Sequence, residues 1–149
     1  MKHLDFAPLP QGDFYGFPML RFRFEDTQGQ LILPRGEKSG KWIFKTEYLG
    51  AFPAAELALL EQGFCIAHVD ARDRFSTPGT VTLRARFAAA LPQAFGLSPV
   101  FGASGLSLGG LQALHLAAQP DLRCGALYLD AGWDAAAEFI HRTLKPHLA

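Results

Sequence analysis

One pentapeptide constrains this chain more than any other stretch: Gly105-Leu106-Ser107-Leu108-Gly109, followed at once by Gly110. An apolar run, Pro99 to Ala103, leads in, and a helix-like run, Leu108 to Ala118, leads out. In that setting the Gly-x-Ser-x-Gly spacing predicts a strand that turns sharply into a helix, with Ser107 at the bend. Glycine is needed two positions either side because the two backbones pass too closely there for a Cβ. The serine is expected in strained geometry with its Oγ exposed. The plainer alternative is a glycine-rich strand–helix turn in which Ser107 merely caps the helix.

The rest of the chain supplies a setting for such a turn. Leu20, Phe22 and Phe24 alternate with Arg21 and Arg23, so Phe14 to Phe24 reads as a first strand. A turn over 25–29 and a strand over 30–33 complete a hairpin. Lys41 to Thr46 is a third strand. Pro53 then opens a helix, with Leu57, Leu60 and the alanines on its buried face and Gly63 at its stop. Phe64 to Val69 is nearly continuously apolar, as expected of a strand buried on both faces of a parallel sheet. A polar loop, Asp70 to Gly79, leads to a helix from Thr80 to about Leu91, with Pro92 marking its end or a kink. Val100 to Ala103 and Cys124 to Leu129 are the fifth and sixth strands, and Asp134 to Leu148 is a last helix. The fold class is therefore α/β: a mostly parallel, doubly wound sheet of about six strands, opened by an antiparallel hairpin. Residues 1–149 read as one domain, with 1–13 an irregular leading segment.

Composition excludes several classes of function. The formal net charge is zero, so no basic surplus points to nucleic acid or an anionic membrane surface. No apolar run approaches the roughly 18 residues that span a bilayer. Met1 to Gly16 lacks the apolar central region of a secretory signal, so the sequence as it stands reads as cytoplasmic. Cys65 and Cys124 lie far apart in apolar runs and read as buried free thiols. No metal-ligand cluster, phosphate-binding loop or dinucleotide fingerprint is present, so neither a metal nor a cofactor is expected.

A serine hydroxyl is a poor nucleophile at neutral pH. It needs a base within hydrogen-bond reach, a carboxylate to orient that base, and N–H donors for the developing oxyanion. The amide of Leu108, directly after the serine, opens a helix and is one such donor. The second comes from the loop after the third strand, where Tyr48 is the expected donor and Leu49 the alternative.

These residues give the chain a resemblance to the first two-thirds of an α/β-hydrolase domain. Besides Gly-Leu-Ser-Leu-Gly-Gly at 105–110, Asp70-Ala71-Arg72-Asp73-Arg74-Phe75-Ser76 resembles the D-x-R-x-x-x-S loop after the fourth strand of many such enzymes. The blocks 40–50, 58–64 and 128–132 are similar to a bacterial group of esterase-like members, related to the dienelactone hydrolase and prolyl oligopeptidase types. The resemblance covers residues 14 to 132 and implies a serine esterase with a small-molecule ester substrate. It names no acyl or alcohol group.

It also implies the chain order serine, acid, histidine, with the last two carried after the seventh and eighth strands. Neither strand is legible in Asp130 to Ala149. The acid then has two candidates. Asp130 closes the sixth strand, and its alternative role is to satisfy turn amides; Asp134 suits a helix N-cap better. Of five histidines, His3 lies in the terminus and His68 suits a satisfied core position. His115 follows Ser107 by eight residues on one helix, roughly 12 Å by the helical rise, and cannot reach the hydroxyl. His141 and His147 keep the family order, and His141 is the better placed of the two to fold back over the strand ends; the alternative for it is a surface helix histidine. Glu47, beside the expected oxyanion loop, is open to either a substrate contact or solvent, and Trp42 and Trp133 read as packing residues. The competing functional reading is a shortened, catalytically incompetent hydrolase-like domain that binds or self-associates, as a homodimer through an uncovered sheet edge.

Overall fold

A computed structural model describes residues 8–71 and 75–130. Seven strands form one sheet in the order β1-β2-β3-β5-β4-β6-β7. The strands are β1 (Gly12–Phe14), β2 (Phe17–Phe24), β3 (Thr27–Ile32), β4 (Trp42–Lys45), β5 (Cys65–Val69), β6 (Val100–Leu106) and β7 (Arg123–Asp130), and the helices are α1 (Ala54–Glu61), α2 (Pro78–Phe95) and α3 (Leu108–Ala117). The first three strands pair antiparallel, β3 pairs antiparallel with β5, and the run β5-β4-β6-β7 is parallel. This is the expected α/β architecture, with one strand more than the sequence reading.

The extra strand arises at Tyr15-Gly16. Both have positive φ, 48° and 87°, and Phe14 pairs directly with Phe17 across them. Such a two-residue turn matches the twist of its flanking strands. It splits the expected strand 14–24 and draws Gly12 and Asp13 out of the segment expected to be irregular. α2 also departs from expectation, running through Pro92 for another turn. A proline so close to a C-terminus removes only one intrahelical donor. Gly96 closes the helix in the left-handed conformation at φ 66°, and Leu91 and Leu97 are buried on either side of the proline.

The alternating strands divide the core into two layers. Phe24, Leu31, Phe44, Ala67, Val69 and Phe101 face α2 and α3 and meet Leu83, Phe87, Leu91, Ala113 and Leu116. Ile32 and Ile66 face the other way and meet Leu60 of α1, together with Phe14 and Phe17. Trp42 packs at ring distance 4.9 Å on Phe101 and donates its indole N–H to the Ser98 carbonyl at 2.8 Å, so it is a packing residue as expected. Trp133 lies outside the described residues. Both cysteines are free, Cys65 buried and Cys124 half-buried; burial pushes both thiols up. Among the described residues no helix is long and apolar enough to cross a membrane.

One expectation about α1 fails. Its alanines Ala54, Ala55 and Ala58 are exposed, whereas Glu56 is buried. The helix turns its Leu60 side onto the sheet. Ala55 and Ala58 instead look over an open apolar groove of about 370 Å³ floored by Gly102, Ser104, Ala126 and Tyr128. The helix expected over 134–148 lies outside the described residues.

The aromatic cluster around Phe87 organises the larger layer. Its ring centroid lies 5.1 Å from Phe24, 5.5 Å from Phe44 and 6.0 Å from Phe22. Phe87→Ala is expected to lower unfolding free energy by about 3–5 kcal/mol in urea titrations, the range for emptying a buried aromatic site.

Candidate active site

Among the described residues, the candidate site residues Ser107, Tyr48 and Asp130 sit at the C-terminal ends of the parallel strands, the usual place for ligands in open α/β sheets. β6 ends at Leu106, Ser107 follows, and α3 begins at Leu108. Ser107 has φ 55° and ψ −121°, a region that costs a non-glycine residue about 1–3 kcal/mol. It makes no side-chain capping hydrogen bond, and it is exposed. The plainer reading of Ser107 as a helix cap is therefore excluded.

Neighbouring backbone explains why the strain persists. The Ser107 amide donates to the Asp130 carbonyl at 2.7 Å, and its carbonyl accepts from Gly110 N at 2.9 Å. A Cβ on Gly105 would stand 2.1 Å from the Gly109 carbonyl oxygen and 2.6 Å from Gly110 Cα. A Cβ on Gly109 would stand 2.9 Å from Glu47 Cβ and 3.1 Å from Thr46 Oγ1. Both glycines of the motif are thus required by approach distance. The chain just past β4 supplies the remaining support: Thr46 Oγ1 donates to the Gly109 carbonyl at 2.7 Å, and Gln112 Nε2 of α3 donates to Glu47 Oε2 at 2.8 Å. Glu47 is thereby tied to α3, which neither expectation for it had foreseen.

Ser107, Leu106, Asp130, Tyr48, Ala51 and Phe52 line one cavity of about 430 Å³. Tyr48 and Phe52 both have positive φ, 53° and 48°, and Phe52 is 80% exposed at the rim. Leu108 stands at the first helical position, where its amide has no intrahelical carbonyl to meet. Leu49, the alternative donor, packs against the smaller core layer. So Ser107, Asp130 and Tyr48 share a cleft, with Leu108 next to the serine in the chain. His141, Asp134, His147 and His3 lie outside the described residues.

The described histidines do other work. His68 Nδ1 donates to the Lys45 carbonyl at 2.8 Å, and its Nε2 lies 3.4 Å from Asp70 Oδ1. That contact holds the Asp70 carboxyl below the usual carboxylate range. His115 Nδ1 is hydrogen-bonded to Ser76 Oγ, and burial lowers its pKa, which favours the neutral ring. Its bond runs to the loop after β5, away from Ser107. Among the described residues no cluster of three potential metal ligands occurs. Sequence reasoning missed Lys45, Thr46, Glu56 and Gln112, polar residues buried around the cleft. Lys45 and Thr46 at the end of an apolar strand were the available signal.

No protein-family profile and no curated protein matches the chain. Solved structures do. A cold-adapted esterase from an Arctic intertidal metagenomic library superposes with TM-score 0.66 at 18% identity, over 83% of this chain and 63% of that one. An alpha-beta serine hydrolase homologue from Coxiella burnetii gives 0.55 at 10% identity, over 84% and 81%. The Francisella virulence factor BioJ gives 0.61 at 19%, over 81% and 44%. The fold is that of the α/β hydrolases. The chain spans less than two-thirds of the length of the Arctic esterase and less than half that of BioJ.

The elbow geometry predicts a sharp contrast between two glycines. Gly105→Ala is expected to destabilise by about 3 kcal/mol or more, because the nearest atoms are backbone and cannot yield. Gly36→Ala, with nothing within 4 Å, is expected to stay within about 0.5 kcal/mol of the parent in the same urea titration.

Proposed function

We propose that the chain is a serine hydrolase of the α/β type, acting on a carboxylic ester. The observation that carries this reading is the strained, exposed Ser107 at the mouth of an apolar cleft. A relaxed serine in a surface turn would not need the close glycine contacts that hold this one. In the proposed reaction Ser107 Oγ attacks the ester carbonyl as its proton passes to an imidazole. The amides of Leu108 and Tyr48 hold the oxyanion. The alkoxide leaves with that proton, and water then cleaves the acyl-enzyme. Asp130, which lines the same cleft, is the proposed acid, and His141, outside the described residues, is the proposed base. Ala51, Leu106 and Phe52 make the cleft wall apolar, which suits an acyl chain over a charged substrate group. The similar Arctic protein is an esterase and the Coxiella protein a serine hydrolase homologue, which agrees with this reading.

The test is a fluorophosphonate probe alongside p-nitrophenyl butyrate turnover. Ser107 is expected to take the label, and Ser107→Ala is expected to lose it and to lower kcat by about 10⁶-fold, the scale of nucleophile removal in serine hydrolases. Labelling that survives the substitution would sink the reading.

A second reading, self-association, rests on the β7 edge. Among the described residues β7 has no partner on its outer side, and its Leu127 and Tyr128 are 37% and 56% exposed. Eight residues of open edge template another strand. Arg123 and Asp130 pair with Val100 and Leu106 on β6, so both lie on one sheet face despite the bulge between them. A second copy pairing antiparallel about Leu127 would set Arg123 of each copy against Asp130 of the other. Light scattering is expected to give a dimer mass that Leu127→Lys returns to a monomer. A monomer at all concentrations excludes this reading.

A further inference from the structure

Lys45 is the last residue of β4 and is 2% exposed, an unusual place for an ammonium. Its Nζ lies 3.1 Å from Glu56 Oε1, with side chains 3% and 5% exposed. It also donates to the Ala51 carbonyl at 2.8 Å and, more weakly, to the Leu49 carbonyl at 3.5 Å. Glu56 sits in the first turn of α1, where the helix dipole favours a carboxylate. The ammonium therefore bonds at once to the helix that follows the 48–52 loop and to the loop itself. From the outside, Tyr15 Oη donates to the Gly50 carbonyl at 2.7 Å. The Ala51 amide closes the turn onto the Tyr48 carbonyl at 2.9 Å.

Burying an ion pair is costly, and an apolar pair of similar volume often serves stability as well or better. Stability alone therefore does not explain a lysine here. What an apolar replacement could not do is hold two loop carbonyls. Those carbonyls flank Tyr48 and Phe52, two non-glycine residues at positive φ that the loop would otherwise relax. We infer that Lys45 is a positioning residue, which fixes the loop that carries the proposed Tyr48 oxyanion donor beside Ser107. Glu56 holds Lys45 extended toward that loop. The inference rests on the esterase reading above.

Four chains test it with p-nitrophenyl butyrate: the parent, Ser107→Ala, the double variant Lys45→Met/Glu56→Leu, and Tyr15→Phe. The double variant keeps the core apolar and filled but gives up the bonds to Leu49 and Ala51. It is expected to keep its thermal midpoint and KM near the parent's while kcat falls about 100-fold, the scale of a displacement of about 1 Å at a reacting centre. Tyr15→Phe loosens the same loop from the surface without touching the core, and is expected to lower kcat in the same direction with KM unchanged. It keeps the test open should the double variant fail to fold. Parent-like kcat in either folded variant, or a loss confined to KM, overturns the positioning role and leaves the esterase reading standing. Absence of Ser107-dependent turnover in the parent overturns both.

Discussion

A strand that becomes a helix within one residue has to bring two backbones closer than side chains permit, and the cleft of this protein depends on that approach. Gly105 and Gly109 meet the steric requirement. The torsional requirement falls on Ser107, whose positive φ is held by hydrogen bonds to β7 and to its own helix. Strain of about 1–3 kcal/mol survives only where surroundings over-determine it. Here the two layers of core, one on each face of the sheet, provide that rigidity, since β6 lies between β4 and β7 and cannot shift without moving both.

The end of β4 is the second structural pivot. Three consecutive residues send their side chains to three destinations: Lys45 to the 49–51 carbonyls and α1, Thr46 to the first turn of α3, and Glu47 to Gln112 in the middle of α3. Lys45 closes β4, and the chain beyond it turns the next two side chains, Thr46 and Glu47, onto α3. One short strand thereby ties both loops that border the cleft to the same rigid sheet. Lys45 and Thr46 are buried and hydrogen-bonded and Glu47 is half-buried and hydrogen-bonded, and such bonded groups specify a geometry.

How much could be read beforehand depended on how local each cause is. Hydrophobic runs bounded by glycine and proline placed six strands and three helices within a few residues, and the Gly-x-Ser-x-Gly spacing placed the strand-to-helix turn at Ser107. Tyr15-Gly16 was not legible as a turn, because Tyr15 is an unusual residue for positive φ and the flanking alternation continues across it. The alanines of α1 misled for a related reason: small apolar residues mark a face that can be buried, and whether it is depends on a neighbour. Glu56 was invisible as a core residue because the partner that accounts for its burial is Lys45, eleven positions away in sequence and 3.1 Å away in space.

The order of elements, the glycine pair and the serine between them follow from the chain alone, because each rests on contacts among residues close in sequence. Which polar groups surround that serine does not. The cavity shared by Tyr48, Phe52, Ser107 and Asp130, and the ion pair behind it, exist only once β4, β6 and β7 lie side by side. Sequence patterns encode periodicity and local backbone preference, whereas strand order decides which distant side chains become neighbours, and the chemistry of the cleft belongs to that second kind of fact.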